Sequence, residues 1–228
     1  MHLTKETFRF LSDLNRNNNR EWFGEHKVRY DRAREEVKKL VEQLIVGLSA
    51  FDPQITPAIP ADKCLFRIYR DIRFRKDKTP YKTWLGAGIS VNGRKLDGPE
   101  YYIHVQPGNS FIAAGYWRPD KDHLAAIRQE IDYNGAELEK ILGDLEQLPH
   151  QIRPDRDDML KRAPAGYDPD HPWIDLLRLK SFTLSRPISD AEWCEPDAIS
   201  NLLEIFQQMY PFKLFIHQAI GDEGNPGY

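Results

Sequence analysis

The sequence predicts an α+β protein with a mostly antiparallel sheet of five or more strands, and with N- and C-terminal helices packed on one face of that sheet. Three observations carry this prediction. Apolar residues recur every three or four positions up to about residue 52 and again beyond residue 119. Between residues 63 and 117 the period is two, with turn residues separating the alternating stretches. Helices, then hairpin-linked strands, then helices is an order typical of α+β folds.

Length and composition predict one domain. The chain has 228 residues, of which 40% are hydrophobic and 29% charged, as in an ordinary globular protein. We expect this domain, residues 1–228, to be helical over 1–52, mainly strands over 63–117, helical over 119–146, loop-rich over 149–172, a strand with C-terminal helices over 178–220, and a disordered-looking tail over 221–228.

The N-terminal part is expected to contain two helices. A short amphipathic helix over residues 4–14 is indicated by Phe8, Leu11 and Leu14 at helical spacing. The asparagine-rich turn at 15–19 follows, because such residues cap helices and tolerate turn conformations. One long helix should then carry an apolar stripe from Trp22 to Leu48 and end at Asp52-Pro53.

The middle of the chain alternates as a strand does. Phe66, Ile68, Ile72 and Phe74 share one predicted face, and we expect Phe66, Ile68 and Phe74 to be buried beneath the helices. Three more strands are predicted at 81–91, 101–106 and 110–117. Asn92-Gly93 and Pro107-Gly108-Asn109 between them are typical hairpin turns.

The C-terminal part returns to helical spacing. Pro119 is expected at the first position of a helix that Asn134-Gly135 interrupts. A last strand is predicted near residues 179–186. Ser189 and Glu192 have the spacing of a capping box, which predicts that the C-terminal helices begin there.

Several classes of protein are disfavoured by the sequence. The longest apolar run, residues 44–51, is far shorter than the roughly 20 residues of a membrane span. The N-terminus lacks a secretory signal, and Cys64 and Cys194 suit reduced thiols, so we expect a cytoplasmic protein without a membrane partner. No histidine pair has metal-ligand spacing and no phosphate-loop or dinucleotide motif occurs, so neither metal nor cofactor is predicted.

The strongest functional signal is the basic segment, Arg67–Lys82. Its sixteen residues hold seven Arg or Lys and two Asp, a local charge of +5 in a chain of net charge −3. A cationic surface of this kind either holds an anion or braces internal carboxylates. We therefore predict that an anion is bound by residues of this segment and by one lysine of the late strand, namely Arg67, Arg70, Arg73, Lys78, Tyr81, Lys82 and Lys180.

Arg70 is anomalous, because it falls between Ile68 and Ile72 on the apolar face of its predicted strand. A guanidinium group there is costly unless it is paired. Either the strand bulges and turns Arg70 outward, or Arg70 lies inside, where it braces a helix Asp or Glu or contacts a bound anion directly. We expect it to be substantially buried and paired with a carboxylate outside its own strand.

Two further features are open to two interpretations each. The small residues around Gly86 and Gly115 indicate either close packing or a shallow pocket beside Trp84 and Trp117. His104, on a polar strand face, is either a general acid or base or a hydrogen-bonded structural residue. His104 and Asp77 are the predicted catalytic candidates, since both titrate near the cationic residues.

Five stretches together resemble one known family. They are residues 17–23 (Asn-Asn-Asn-Arg-Glu-Trp-Phe), 67–82 with Arg-Asp-x-Arg-Phe-x-x-Asp-Lys-x-Pro-Tyr-Lys at its centre, 114–117, 162–167 and 177–182. This set is similar to the domain-of-unknown-function 2461 family, uncharacterised conserved hypothetical proteins of bacteria and fungi. The resemblance implies one α+β domain and no established activity or cofactor.

Three functions are compatible with the basic segment. The first is an enzyme or binder acting on a small phosphate- or carboxylate-bearing molecule, gripped by guanidinium groups. The second, less favoured, is a module that binds nucleic acid or a protein through cations and exposed aromatic residues. The third is a structural ion network. Oligomeric state and reaction type are not indicated by the sequence.

Overall fold

The computed structural model describes residues 1–74, 76–94 and 98–221. Within them, the helices are α1 Lys5–Arg16, α2 Arg20–Glu25, α3 Lys27–Leu48, α4 Ala61–Cys64, α5 Lys121–Glu146, α6 Ile174–Leu177, α7 Asp190–Trp193 and α8 Ala198–Ile220. The strands are β1 Leu85–Ile89, β2 Glu100–Val105, β3 Ser110–Tyr116, β4 Arg153–Pro154 and β5 Phe182–Ile188.

The five strands form one antiparallel sheet in the order β1-β2-β3-β5-β4. With helices at both ends of the chain, this confirms the α+β prediction. The placement of all helices on one face stays a prediction. The predicted tail lies, beyond Gly221, outside the described residues. Among the helices that are described, none is long and apolar enough to cross a lipid bilayer.

The chain divides into two compact units by its internal contacts. The first comprises Met1–Arg94, Tyr102–Ile112 and Pro187–Glu204, and its core includes the fully buried Leu11, Leu14 and Leu44. The second comprises Lys95–Tyr101, Ala113–Arg186 and Ile205–Tyr228, with Ile127 and Phe206 in its core. The prediction that the whole chain is one domain stays a prediction.

The long N-terminal helix is not continuous, contrary to the prediction from its apolar stripe. The chain leaves helical geometry at His26 (φ −106°, ψ 16°), which separates α2 from α3. Asn19 starts α2 as its N-cap, because its Oδ1 accepts a hydrogen bond of 2.9 Å from the backbone N–H of Trp22. The apolar stripe is preserved on both sides of the break, which is why periodicity alone did not reveal it.

The predicted strand through the basic segment is also wrong. In the described part of this segment the chain forms isolated bridges and no strand: Leu65 pairs with Ala87 and Tyr69 with Tyr81. Leu65 and Tyr69 are four positions apart in the chain, whereas their partners Ala87 and Tyr81 are six positions apart. The 81–87 side therefore holds two additional residues, and regular pairing is interrupted. Phe74, predicted to be buried, is 94% exposed because the chain has already turned away. Phe66, also predicted to be buried, is only half-buried and lines a cavity, whereas Ile68 is buried as predicted.

The glycines within the strands mark a close approach of backbone. A Cβ atom on Gly115, where φ is +125°, would lie 2.1 Å from the carbonyl oxygen of Phe182 on the adjacent strand β5. A Cβ atom on Gly86 would lie 2.8 Å from the carbonyl oxygen of Ile103 on β2. Of the two interpretations of the small residues, close packing is therefore the one observed at both glycines.

The C-terminal predictions hold with two shifts in position. Helix α5 begins two residues later than expected, because Asp120 rather than Arg118 is its N-cap and accepts from the backbone N–H groups of Asp122 and His123. The last strand occupies Phe182–Ile188 instead of residues 179–186. The predicted interruption is present at Asn134, whose φ and ψ are −124° and 23°. Ser189 and Glu192 form the predicted capping box at the start of α7.

Candidate anion site

An open cavity of about 900 Å³ lies in the first unit, along the basic segment. Its wall takes in residues of three parts of the chain: the turn after α1, the stretch from Phe66 to Trp84, and Arg94 beyond β1. Four cations and two carboxylates are among the lining residues, which gives the described wall an excess of positive charge. These six residues are Arg67, Arg70, Lys82, Arg94, Asp71 and Asp77.

The asparagine-rich turn fixes one side of this cavity. The Asn18 side-chain amide donates to the carbonyl of Tyr81 (2.9 Å) and its Oδ1 accepts from the Tyr81 backbone N–H (3.1 Å), as a neighbouring strand would. The Tyr81 ring is stacked on Phe23 of α2 at 4.0 Å between centroids. Tyr81 is therefore buried as a structural anchor, although it also contributes to the cavity wall.

Arg70 is paired, as the sequence analysis expected. Its side chain is 21% exposed, and Nη1 lies 2.6 Å from Asp77 Oδ2. The same Nη1 donates to the hydroxyl of Thr79. The backbone N–H of Thr79, the Arg70 guanidinium and the Thr79 hydroxyl together lower the pKa of Asp77 to about 2. A carboxyl group held ionised in this way is poorly suited to proton transfer near neutral pH.

Arg73 and Lys78 have structural partners in the same loop. Arg73 makes a bidentate pair with Asp71, from Nε at 3.0 Å and from Nη2 at 2.7 Å. Lys78 Nζ donates to the carbonyl of Ile72 at 2.9 Å. We call residues 70–79 the closing loop, of which Arg75 lies outside the described residues. Neither Arg73 nor Lys78 is among the residues that line the cavity.

Three other cations, Arg67, Lys82 and Arg94, behave differently, and we call them the cation triad. All three line the cavity, and none forms an ion pair with a carboxylate in the described part of the chain. Burial, followed by the charges of Arg67 and Arg94, lowers the pKa of Lys82. The triad is thus a group of like charges that, among the described residues, form no ion pair with the two carboxylates of the same cavity, Asp71 and Asp77.

Two members of the triad are held in place by the fold. Lys82 Nζ lies over the rings of Trp84 (4.5 Å) and Phe66 (5.4 Å) in cation–π contacts. Arg94 Nη1 donates to the carbonyl of Leu65 at 2.8 Å. This bond ties the turn after β1 to the chain that leads into the basic segment, and among the described residues Nε and Nη2 of Arg94 make no hydrogen bond.

His104 is buried in the first unit with both ring nitrogens occupied. Nε2 lies 2.9 Å from Gln106 Oε1 and Nδ1 lies 3.0 Å from the Tyr102 hydroxyl, so the neutral tautomer with the proton on Nε2 satisfies both partners. Burial lowers the pKa of His104. The ring also stacks on Phe111 at 4.8 Å. These contacts favour the structural interpretation of His104, which is not among the cavity-lining residues.

Lys180 belongs to the second unit. Its Nζ lies 2.7 Å from Asp158 Oδ1, and Arg118 Nη2 lies 3.3 Å from the other oxygen of the same carboxylate. The two cations lower the pKa of Asp158, Lys180 contributing most. Lys180 is therefore one half of an ion pair, and its participation in a site with the basic segment stays a prediction.

The structure thus brings together only some of the predicted site residues. Arg67, Arg70, Asp77, Tyr81 and Lys82 line the cavity, and Arg94 is an addition that sequence reasoning missed. Arg94 follows the predicted Asn92-Gly93 turn, so a search for cations brought back by that hairpin would have found it. In the described ranges, no group of three or more His, Cys, Asp or Glu residues has the geometry to hold a metal ion.

Fold and site together define an α+β protein with a cationic cavity beside its first strand. The chain belongs to the family described as conserved hypothetical protein (DUF2461), whose model matches residues 6–215 of the 228. This match confirms the resemblance seen in the sequence, and the description names no activity. Comparison with curated proteins and with solved structures gave no match.

Proposed function

We propose that this protein binds a small molecule carrying a phosphate or carboxylate group, and that the cation triad holds that group in the cavity. The observation that carries the proposal is the triad itself: Arg67, Lys82 and Arg94 line one cavity without a carboxylate partner among the described residues. The protein as a whole is acidic, with a net charge of −3, so this grouping runs against its overall charge.

Physical chemistry supports an anion as the missing partner. Like charges held around one cavity repel each other, and the lowered pKa of Lys82 reflects the charges of Arg67 and Arg94 in addition to burial. A bound oxyanion would remove that repulsion. Guanidinium groups suit this task because their N–H groups match the oxygens of phosphate and carboxylate in pairs.

The rest of the cavity suits a molecule with an apolar part. Phe66, Tyr69 and Trp84 line it beside the triad, and its volume of about 900 Å³ is in the range of small-molecule sites. The ion pairs of Arg70 and Arg73 within the closing loop support the third interpretation for those two arginines. The cation triad, which forms no ion pair among the described residues, supports the first.

Nucleic acid is the second candidate, favoured by the exposed rings of Tyr69 (56% exposed) and Phe74 (94% exposed) beside the cations. We rank it lower because the triad lines a cavity rather than a continuous strip. The proposal also keeps a cytoplasmic location, for which the free thiols of Cys64 and Cys194 are the support.

Isothermal titration calorimetry tests the proposal. Inorganic phosphate, pyruvate, a nucleoside monophosphate and a short single-stranded oligonucleotide are titrated at low and high salt. The control for an Arg67→Ala/Arg94→Ala variant is Arg156→Ala/Arg162→Ala, which loses the same charge from exposed positions of the second unit. We expect binding of a small anion that only the first variant loses.

The opposite results are equally informative. Binding of the oligonucleotide alone, falling steeply with salt, would replace the small-molecule proposal by the nucleic-acid one. Equal loss of binding in both double variants would show that net charge, not the triad, attracts the anion. Absence of any binding at low salt would refute the proposed function.

A further inference from the structure

We infer that Lys82 is a nucleophilic amine that forms an imine with the carbonyl group of an aldehyde or ketone bearing a carboxylate or phosphate. The inference rests on the proposed function, because Arg67 and Arg94 would hold the anionic group while Lys82 reaches the carbonyl carbon. It adds a class of substrate and a chemical step to what would otherwise be a binding site.

The position of Lys82 carries the argument. It is half-buried, it lines the cavity, and its Nζ faces the rings of Trp84 and Phe66 rather than a carboxylate. Four other lysines of the described chain are engaged by oxygen atoms: Lys27 by Asp31, Lys38 by Asp62, Lys78 by the carbonyl of Ile72, and Lys180 by Asp158. No such bond holds the amine of Lys82 among the described residues, so its lone pair becomes available on deprotonation.

The surroundings favour that deprotonation on balance. Burial and the guanidinium charges of Arg67 and Arg94 disfavour the ammonium form and lower the pKa of Lys82, whereas the two aromatic rings attract the cation. Desolvation combined with a neighbouring cation is a known means of making a lysine nucleophilic near neutral pH. The same two arginines that would bind the substrate therefore also activate the amine.

The step balances without an oxidant or reductant. The lone pair of neutral Lys82 Nζ attacks the carbonyl carbon, and the C=O π electrons move to oxygen, which takes a proton. Nitrogen loses a proton to water, which gives a carbinolamine. Protonation of its hydroxyl group releases water as the C=N bond forms, and the resulting iminium nitrogen then gives its proton to water. Amine and carbonyl compound are thereby converted into imine and water.

Reductive trapping tests the inference on the full chain. The protein is incubated with sodium cyanoborohydride and either pyruvate or glyceraldehyde 3-phosphate, and modified lysines are located by peptide mass spectrometry. The two compounds distinguish a carboxylate from a phosphate substrate, and acetone serves as the uncharged control. We expect the adduct to form mainly on Lys82 and not on Lys180, whose amine is held by the carboxylate of Asp158 at 2.7 Å.

A variant and a competition experiment make the result decisive. Lys82→Arg keeps the positive charge but lacks the primary amine, so it should lose the adduct. In the wild-type protein, inorganic phosphate should protect Lys82, and this measurement does not depend on the folding of a variant.

Failure of the inference is distinguishable from failure of the proposed function. If pyruvate or phosphate binds but Lys82 stays unmodified, or if adducts follow lysine exposure alone, the nucleophile is refuted and the binding site stands. If no anion binds at all, the proposed function itself is refuted.

Discussion

Replacing Arg67 and Arg73 separately by alanine distinguishes a binding site from a structural network. The two arginines lie six positions apart in one segment, yet their surroundings differ. Arg67 lines the cavity and has no carboxylate partner in the described chain, whereas Arg73 is paired with Asp71 and does not itself line the cavity. Arg67→Ala should weaken anion binding without destabilising the protein. Arg73→Ala should leave anion binding nearly unchanged.

The magnitudes follow from these contacts. A hydrogen bond to a charged group contributes about 1.5–3 kcal/mol, so losing the Arg67 contact should raise Kd by roughly ten- to a hundredfold. Arg67 is exposed, and its replacement by alanine removes a positive charge that repels Lys82. The free energy of unfolding of Arg67→Ala should therefore stay within about 0.5 kcal/mol of the wild-type value or rise slightly. Arg73 is 76% exposed and its ion pair is open to water, so Arg73→Ala should change Kd by less than about twofold.

Calorimetry for Kd and urea denaturation for the free energy of unfolding are measured on the same preparations. The salt dependence of Kd provides a second readout, since it should become shallower for Arg67→Ala and stay unchanged for Arg73→Ala. Our reasoning would be wrong if Arg67→Ala destabilised the protein by more than Arg73→Ala while leaving Kd unchanged. In that case the triad would be a structural feature like the closing loop.

Three further predictions concern stability and pH. The pKa of Asp77 is lowered to about 2 from 3.8, so its stabilising effect is present above pH 3.8 and lost as pH falls towards 2. In urea denaturation, Asp77→Asn should have a lower free energy of unfolding than the wild type at neutral pH, and this difference should vanish near pH 2. In thermal denaturation, Gly115→Ala should destabilise the protein by more than about 2 kcal/mol, because the new Cβ atom would meet the Phe182 carbonyl oxygen and φ is positive. Gly24→Ala is the control: its Cβ atom would have no atom within 4 Å, so it should stabilise α2 by about 0.5–1 kcal/mol. Anion affinity should fall as pH rises through the lowered pKa of Lys82, because the ammonium form binds the anion. Calorimetry in two buffers should therefore show proton uptake on binding, and Lys82→Met should abolish the pH dependence.

Much of the fold could be predicted because its signals are local. Alternation and turn residues placed β2 and β3 within one residue of their observed bounds at 100–105 and 110–116. The capping box at Ser189 and the break at Asn134 were equally readable, since each depends on a few neighbouring residues. Helical periodicity carried less information at His26, because a break that preserves the apolar stripe leaves no trace in the spacing.

The interrupted pairing beside the basic segment could not be predicted. Alternation continues through Phe74, but the chain turns earlier, because Asp71 accepts hydrogen bonds from the backbone and side chain of Arg73. Charged side chains that bond within their own loop have no periodic signature. The cost of burying a charge correctly predicted that Arg70 is paired. Its partner Asp77 could not be predicted, because it depends on the conformation of the loop.

The two parts of the family motif have different structural roles in this geometry. Its Arg-Asp-x-Arg stretch and the later Asp-Lys stretch close the loop on itself through Arg70 with Asp77 and Arg73 with Asp71. Its final Pro-Tyr-Lys stretch does the opposite: Pro80 accepts the Arg70 backbone N–H, Tyr81 is anchored by Asn18, and Lys82 is left facing the cavity. A segment that needed cations only for its own stability would have given Lys82 a carboxylate as well. The uneven distribution of partners, rather than the number of positive charges, is therefore what distinguishes a binding site within this basic segment.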